Sequence, residues 1–170
     1  DSRATRGVFG QSSPHSAFLW ALESLAWSPD YVEDVVRILV ALDALDAGGE
    51  LSNRPRASLL GILSSWRPQT AALLDQRLRC VDIVTETSEA AAEILLALIP
   101  NGHAWQLNHS GPRYRDWRTD AAVTNGDVRA ALDHVSAALA EKFETTPEFA
   151  LAVIPRLDGL GSAFREQFVA

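Results

Sequence analysis

The chain has 170 residues, of which 47% are hydrophobic, which is enough to form one core of ordinary domain size. Its formal net charge of −7 argues against a broad nucleic-acid-binding surface, because such surfaces need a concentrated excess of lysine and arginine. The single cysteine, Cys80, cannot form an internal disulfide, which favours a reducing compartment, the cytoplasm. No apolar stretch is long and uncharged enough to cross a bilayer.

A serine or threonine followed by proline marks three predicted helix starts, at Ser13-Pro14, Ser28-Pro29 and Thr146-Pro147. The side-chain oxygen can accept a free N–H of the first turn, and proline fits the first helical position. Residues 1–12 are polar and lack periodicity, so we expect a disordered or loosely packed N-terminal segment there. Residues 13–170 are predicted to form a single all-helical domain.

Apolar residues at helical spacing predict the first two helices over 14–27 and 29–45. In the second helix, the main apolar face holds Val32, Val35, Val36, Leu39 and Leu42, and further apolar residues flank it, among them Ile38 and Leu45. Its polar stripe is narrow, so we expect the second helix to be the most buried element. Gly48 and Gly49 then end it.

Further helices follow with short connections. A third helix begins at Asn53-Arg54-Pro55 and ends at the corner Trp66-Arg67-Pro68. The pattern predicts others over 70–85, 88–99, 126–143, 147–157 and 161–170. The expected fold is therefore all-α, an irregular stack of about seven or eight helices, either a HEAT-like α-solenoid fragment or an irregular helical bundle.

Residues 101–124 form the one long stretch without periodicity, and aromatic and arginine residues are concentrated in it. We predict an ordered loop whose candidate binding residues are Trp105, Arg113, Tyr114, Arg115 and Trp117. Tryptophan, tyrosine and arginine are common interface hot spots, and they also stack bases and hold phosphates. The alternative is that the tryptophans plug the end of the helical stack while the arginines face water.

No pattern of catalytic, metal or cofactor binding is recognisable. The chain lacks a phosphate loop, a dinucleotide fingerprint, a nucleophile elbow and an H-E-x-x-H motif. His103, His109 and Asp116 do not match a standard metal-ligand spacing, and Cys80 lies near the apolar stripe of a helix, where a thiol is inert. We predict no metal and no cofactor, and we favour a non-catalytic role.

One segment carries a family resemblance. It contains Gly48-Gly49, Asn53-Arg54-Pro55, Ser58-Leu59 and Trp66-Arg67-Pro68-Gln69-Thr70, followed later by Gly102-His103 and Pro112-Arg113-Tyr114-Arg115-Asp116-Trp117. This run resembles helical regions of uncharacterised bacterial STAND-like and related signalling NTPases, over residues 22–117. The resemblance implies a bacterial signalling protein, including one of antiphage defence, whose nucleotide chemistry lies elsewhere. The absence of methionine also predicts a segment of a longer polypeptide.

Physically, the same segment predicts structural roles. Asn53 can cap the third helix, and Arg54 can reach carboxylates or helix-terminal carbonyls next to Pro55. Trp66 and Pro68 can pack a corner between helices. The interpretation favoured by the sequence is an interaction or sensor module that recognises a protein partner or a neighbouring domain of its parent. The alternative is a nucleic-acid-binding accessory domain that uses residues 103–118.

Overall fold

The fold is all-helical in the part of the chain that the structure describes. The computed structural model describes residues 14–48, 53–100, 116–117 and 123–145, and no strand occurs among them. Their helices are α1 (Pro14–Leu25), α2 (Val32–Ala44), α3 (Pro55–Leu63), α4 (Leu74–Thr87), α5 (Ala91–Leu98) and α6 (Asn125–Thr145). The predicted helices over 147–157 and 161–170 lie outside the described residues, so the larger count and the HEAT-like stack stay predictions.

Helix α2 packs mainly against α4 and α3, with a smaller contact to α1, and α4 in turn packs against α5 and α6. Four residues of its predicted main face are buried, namely Val32, Val35, Val36 and Leu39, and Val40 is buried beside them. Complete burial of one such side chain is worth about 1.5–3 kcal/mol relative to an exposed one. The buried face of α2 joins residues of all the other described helices in one core, which confirms the predicted apolar face apart from the half-buried Leu42.

Two predicted helix starts lie in turns instead. The Ser28 carbonyl accepts the N–H groups of Tyr31 and Val32 at 3.1 Å, so α2 begins at Val32 and Pro29 lies in the preceding turn. Likewise, the predicted start at Ser88 is a turn, and α5 begins at Ala91. In both places the serine carbonyl accepts a backbone hydrogen bond that closes a turn, and the helix begins after that turn. Pro14 and Pro55 do stand first in their helices, as predicted.

The connection between α2 and α3 differs from the one that the sequence predicts. Helix α2 ends at Ala44 with Leu45 as its C-cap, so Gly48, whose φ is +82°, lies beyond the end of the helix and does not stop it as predicted. Asn53 does not cap α3: the residue before the helix is Arg54, and it makes no side-chain cap. The Asn53 Nδ2 is instead buried without a hydrogen-bond acceptor among the described residues. This part of the prediction was wrong.

Arg56 joins three helices through one guanidinium group. From α3 it donates hydrogen bonds to Asp43 of α2, with Nη2–Oδ2 at 2.7 Å and Nε at 3.2 Å from both carboxylate oxygens. Its Nη1 also pairs with Glu93 of α5. The Asp43 side chain is only 6% exposed, so its charge is largely removed from water and depends on this partner.

Helix α4 is joined to its neighbours by more exposed polar contacts. Arg79 forms the predicted pair with Asp75 at 3.1 Å, and it also pairs with Glu33 of α2 at 3.0 Å, which the sequence did not indicate. His134 of α6 lies 2.6 Å from Asp82 of α4. Solvent-exposed pairs of this kind contribute about 0–1 kcal/mol each, so they orient helices more than they stabilise them.

We expect Arg56→Met to lower the free energy of unfolding by at least about 2 kcal/mol, because the nearly buried Asp43 carboxylate would lose its counterion. Chemical denaturation monitored by circular dichroism measures the change. The matched control is Arg37→Met, since Arg37 pairs with Asp34 on an exposed surface at 3.4 Å and should cost less than about 1 kcal/mol. Equal losses in the two variants would contradict the role given to Arg56.

Candidate functional site

Of the candidate binding residues predicted in the loop, the structure describes Trp117. Its ring meets the ring of Tyr31 edge to face, with centroids 6.3 Å apart and planes at 71°. This geometry is a favourable aromatic arrangement and places the half-buried Trp117 beside the turn between α1 and α2. The other predicted binding residues of the loop lie outside the described residues (Trp105, Arg113, Tyr114, Arg115).

The Asn53-Arg54-Pro55 segment has a structural role. Arg54 reaches back to Asp46, with its Nε 2.8 Å from Oδ2 and an Nη2 contact to the other oxygen. This two-pronged pair closes the connection between α2 and α3 and confirms that Arg54 binds a carboxylate. Pro55 is buried at the first position of α3. The segment therefore positions helices, and its arginine is engaged within the chain.

The corner after α3 is filled by a residue that the sequence analysis did not select. Trp66 is 43% exposed and Pro68 is half-buried, so neither of them fills the inside of the corner. Gln69 does: it is buried, and its backbone N–H donates to the carbonyl of Gly61 at 3.1 Å. A Cβ atom at position 61 would lie 3.0 Å from the Gln69 side-chain amide. Any side chain at position 61 would therefore have to displace the Gln69 amide.

A row of exposed apolar residues runs along α2. Tyr31, Ile38 and Leu45 recur every seven residues and are 48%, 42% and 81% exposed. Ile38 lies about 140° around the helix from Glu33, the residue that pairs with α4, so the row is on the flank turned away from α4. The sequence placed Ile38 and Leu45 beside the buried face, whereas the structure leaves both open to solvent.

Helix α1 carries a second exposed apolar pair. Phe18 and Leu25 are also seven residues apart and are 49% and 39% exposed. Glu23 marks the side of α1 that contacts α3, where it accepts a hydrogen bond from Ser58 at 2.7 Å. Phe18 and Leu25 lie about 140° and 160° around the helix from Glu23. We call the exposed row of α2, whose Tyr31 end lies at the turn from α1, the α1–α2 apolar surface (Tyr31, Ile38, Leu45).

The described residues also line a cleft of about 480 Å³. Its walls come from the corner after α3, the first turns of α4 and the beginning of α6, where Asp127 lies. Arg77 of α4 lines it and is only 8% exposed. Burial lowers the pKa of the Arg77 guanidinium, and the nearby Asp127 carboxylate partly offsets this effect. A charged group with so little solvent contact is uncommon unless it is paired.

Cys80 is sequestered in the core. It is fully buried, and burial, with a smaller contribution from Glu33, raises the pKa of its thiol to about 12. The thiolate is the reactive form of cysteine, so this side chain cannot serve as a nucleophile near neutral pH. The prediction of a buried, inert thiol is confirmed.

Neither a metal-binding cluster nor a membrane-spanning helix occurs among the described residues. They contain no group of three or more histidine, cysteine, aspartate or glutamate side chains arranged to hold a metal ion. Within the same residues, every helix is too short or too polar to span a membrane. Comparison of the chain with protein-family models, curated proteins and solved structures finds no match.

We expect Cys80 to be unreactive toward a thiol reagent such as DTNB in the folded protein at pH 8, because its thiol is buried and protonated. In denaturant the chain should react with one equivalent, since it has a single cysteine. The absorbance of the released chromophore measures both. Rapid stoichiometric labelling without denaturant would show that the core around α4 opens readily.

Asp127 in the first turn of α6 should make the thermal stability of the protein depend on pH. Asp127 accepts hydrogen bonds from the backbone N–H and the hydroxyl of Thr124, both at 2.9 Å, and these bonds lower the pKa of its carboxyl below 3.8. A lowered folded-state pKa stabilises the protein above the unfolded-state pKa, and the contribution disappears as pH falls through the folded-state value.

We therefore expect Asp127→Asn to lower the thermal midpoint at pH 7 and the difference from the unmodified chain to shrink below pH 3.8. Thermal melts at several pH values measure the difference. Thr124→Val removes one of the two hydrogen bonds and should lose only part of the pH-dependent contribution. A difference that stays constant down to pH 2 would contradict the assignment.

Proposed function

We propose that this chain is a helical interaction module that acts by binding and that its partner-binding site is the α1–α2 apolar surface. The observation that carries the proposal is the row Tyr31, Ile38 and Leu45, three large apolar side chains that remain exposed at seven-residue spacing. Such a row can receive an amphipathic helix, because helices pack through apolar residues at this repeat.

The aromatic contact at one end of the surface supports the same function. Tyr31 is held edge to face by Trp117, so its ring is oriented before a partner arrives. Preorganised aromatic residues lose little conformational entropy on binding and are frequent hot spots. Trp117 belongs to the loop that the sequence analysis selected for partner recognition, and the contact extends that site onto α2.

The polar surroundings indicate the charge of the partner. Asp30 is exposed in the turn before α2, Asp34 is exposed one turn before Ile38 and is partly offset by its partner Arg37, and the whole chain has a net charge of −7. Complementary charge at the rim of an interface speeds association and excludes unsuitable partners. The partner surface we propose is an apolar helix flanked by basic residues, on another protein or on a neighbouring domain.

The resemblance of residues 22–117 to helical regions of STAND-like bacterial proteins supplies the context of the proposal. In that context the module recognises or relays a signal for a parent protein, including one of antiphage defence, and nucleotide chemistry occurs outside these residues. The Arg54–Asp46 pair and the Gly61–Gln69 contact give the shared segment a scaffolding role that fits a recognition module.

We expect Ile38→Asp and Leu45→Asp each to weaken partner binding at least about tenfold, while the free energy of unfolding changes by less than about 1 kcal/mol. A photo-crosslinking amino acid at position 38 first identifies the partner in the source cells. Binding of the purified partner is then measured by titration calorimetry with each variant.

Ala137→Asp is the matched control, because it adds the same charge at an exposed position of α6. It should leave partner affinity within about twofold of the unmodified chain. Unchanged affinity in both surface variants, or a crosslink that contains only nucleic acid, would refute the proposed function. A large loss of stability in Ile38→Asp would show that the row is structural.

A further inference from the structure

The cleft beside Arg77 lies apart from the α1–α2 apolar surface and has the dimensions of a small-molecule site. Its volume of about 480 Å³ falls within the range of roughly 300–1,000 Å³ that ligand pockets occupy. Much of its wall is apolar, with Pro68, Ala72, Leu73 and Val123 among the lining residues. A few polar groups on an apolar wall are typical of pockets that bind small organic molecules.

The cleft also contains a buried donor, the Nε–H of Arg77, that has no hydrogen-bond acceptor among the described residues. This Nε is shielded from solvent. No carboxylate of the described residues forms an ion pair with this guanidinium, although Asp127 is near enough to influence it. Because a buried guanidinium nitrogen without an acceptor is costly, a ligand that brings an anionic oxygen to this group would recover lost interactions.

The acidic residues around the cleft are already engaged elsewhere. Asp127 accepts hydrogen bonds from Thr124, and Asp75 accepts one from Arg79 at 3.1 Å. Their negative charge disfavours a dianion such as phosphate more than a monoanion.

We propose that this cleft binds a small carboxylic acid with an apolar body and that Arg77 holds its carboxylate in a two-pronged contact. The planar guanidinium matches both oxygens of a carboxylate. The apolar wall formed by the corner after α3 and by Val123 accommodates the remainder of the molecule.

The test uses sodium benzoate as the probe, benzamide as its neutral counterpart and inorganic phosphate as the competing anion. Each is titrated at constant ionic strength into the ¹⁵N-labelled 170-residue chain while the Arg77 Nε–Hε resonance is followed by NMR. We expect benzoate to shift this resonance saturably with a dissociation constant of about 1 mM. Benzamide and phosphate should bind at least about tenfold more weakly.

Two variants distinguish recognition of benzoate by the planar guanidinium of Arg77 from attraction by positive charge alone. Arg77→Lys keeps the positive charge but loses the planar pair of N–H donors, so benzoate affinity should fall about tenfold. The affinity of this variant is followed through the backbone amides that line the cleft. Arg37→Lys changes an exposed arginine on α2 and should leave affinity within about twofold. If Arg77→Lys does not fold, the Arg77 resonance of the unmodified chain still reports whether benzoate and benzamide differ.

Three results would overturn the proposal: no saturation up to about 50 mM benzoate, equal binding of benzamide, or tighter binding of phosphate. Unchanged benzoate affinity in Arg77→Lys would also do so. None of these outcomes bears on the α1–α2 apolar surface, because Ile38 and Leu45 do not line the cleft.

Discussion

The carboxylate of Asp43 sets the arrangement of the central helices. It is almost removed from water and is held by Arg56, which also pairs with Glu93, so one guanidinium links α2, α3 and α5. Hydrogen bonding to Asp43 is the main reason that the pKa of Arg56 is raised. Apolar packing tolerates small shifts between helices, whereas a nearly buried ion pair does not, because a shift would leave a charge unpaired. The pair therefore fixes the register in which the apolar faces meet.

Once α2 is fixed in this way, both proposed sites acquire defined positions. Its inner face is committed to the core, so Ile38 and Leu45 remain on the outer flank. The turn before α2 is bonded to the corner after α3 and to the first turn of α4. The Ala71 N–H donates to the Trp27 carbonyl at 3.1 Å, and the side-chain amide of Gln76 in α4 donates to the Pro29 carbonyl at 3.2 Å. The Tyr31 end of the apolar surface and the segment that lines the cleft are thus parts of one connected unit.

Sequence periodicity predicted the helical class and the buried face of α2, because both depend on local spacing of apolar residues. It could not show which flank a neighbouring helix covers, so the exposure of Ile38 and Leu45 was missed. Arg77 had a readable pattern: it stands four and seven residues before the buried Val81 and Val84, at a core position of α4. The helix starts at Ser28 and Ser88 were misplaced because a serine favours a turn as readily as a cap.

The contact between Gly61 and Gln69 has a consequence for how this chain can vary. The amide of Gln69 occupies the space that any side chain at position 61 would need, and the same two residues share a backbone hydrogen bond. A larger residue at 61 is compatible with the corner only when the residue at 69 becomes smaller or turns outward. The coupling therefore runs in one direction: position 61 can gain a side chain only if the side chain at position 69 yields, whereas a smaller residue at 69 leaves Gly61 without a clash.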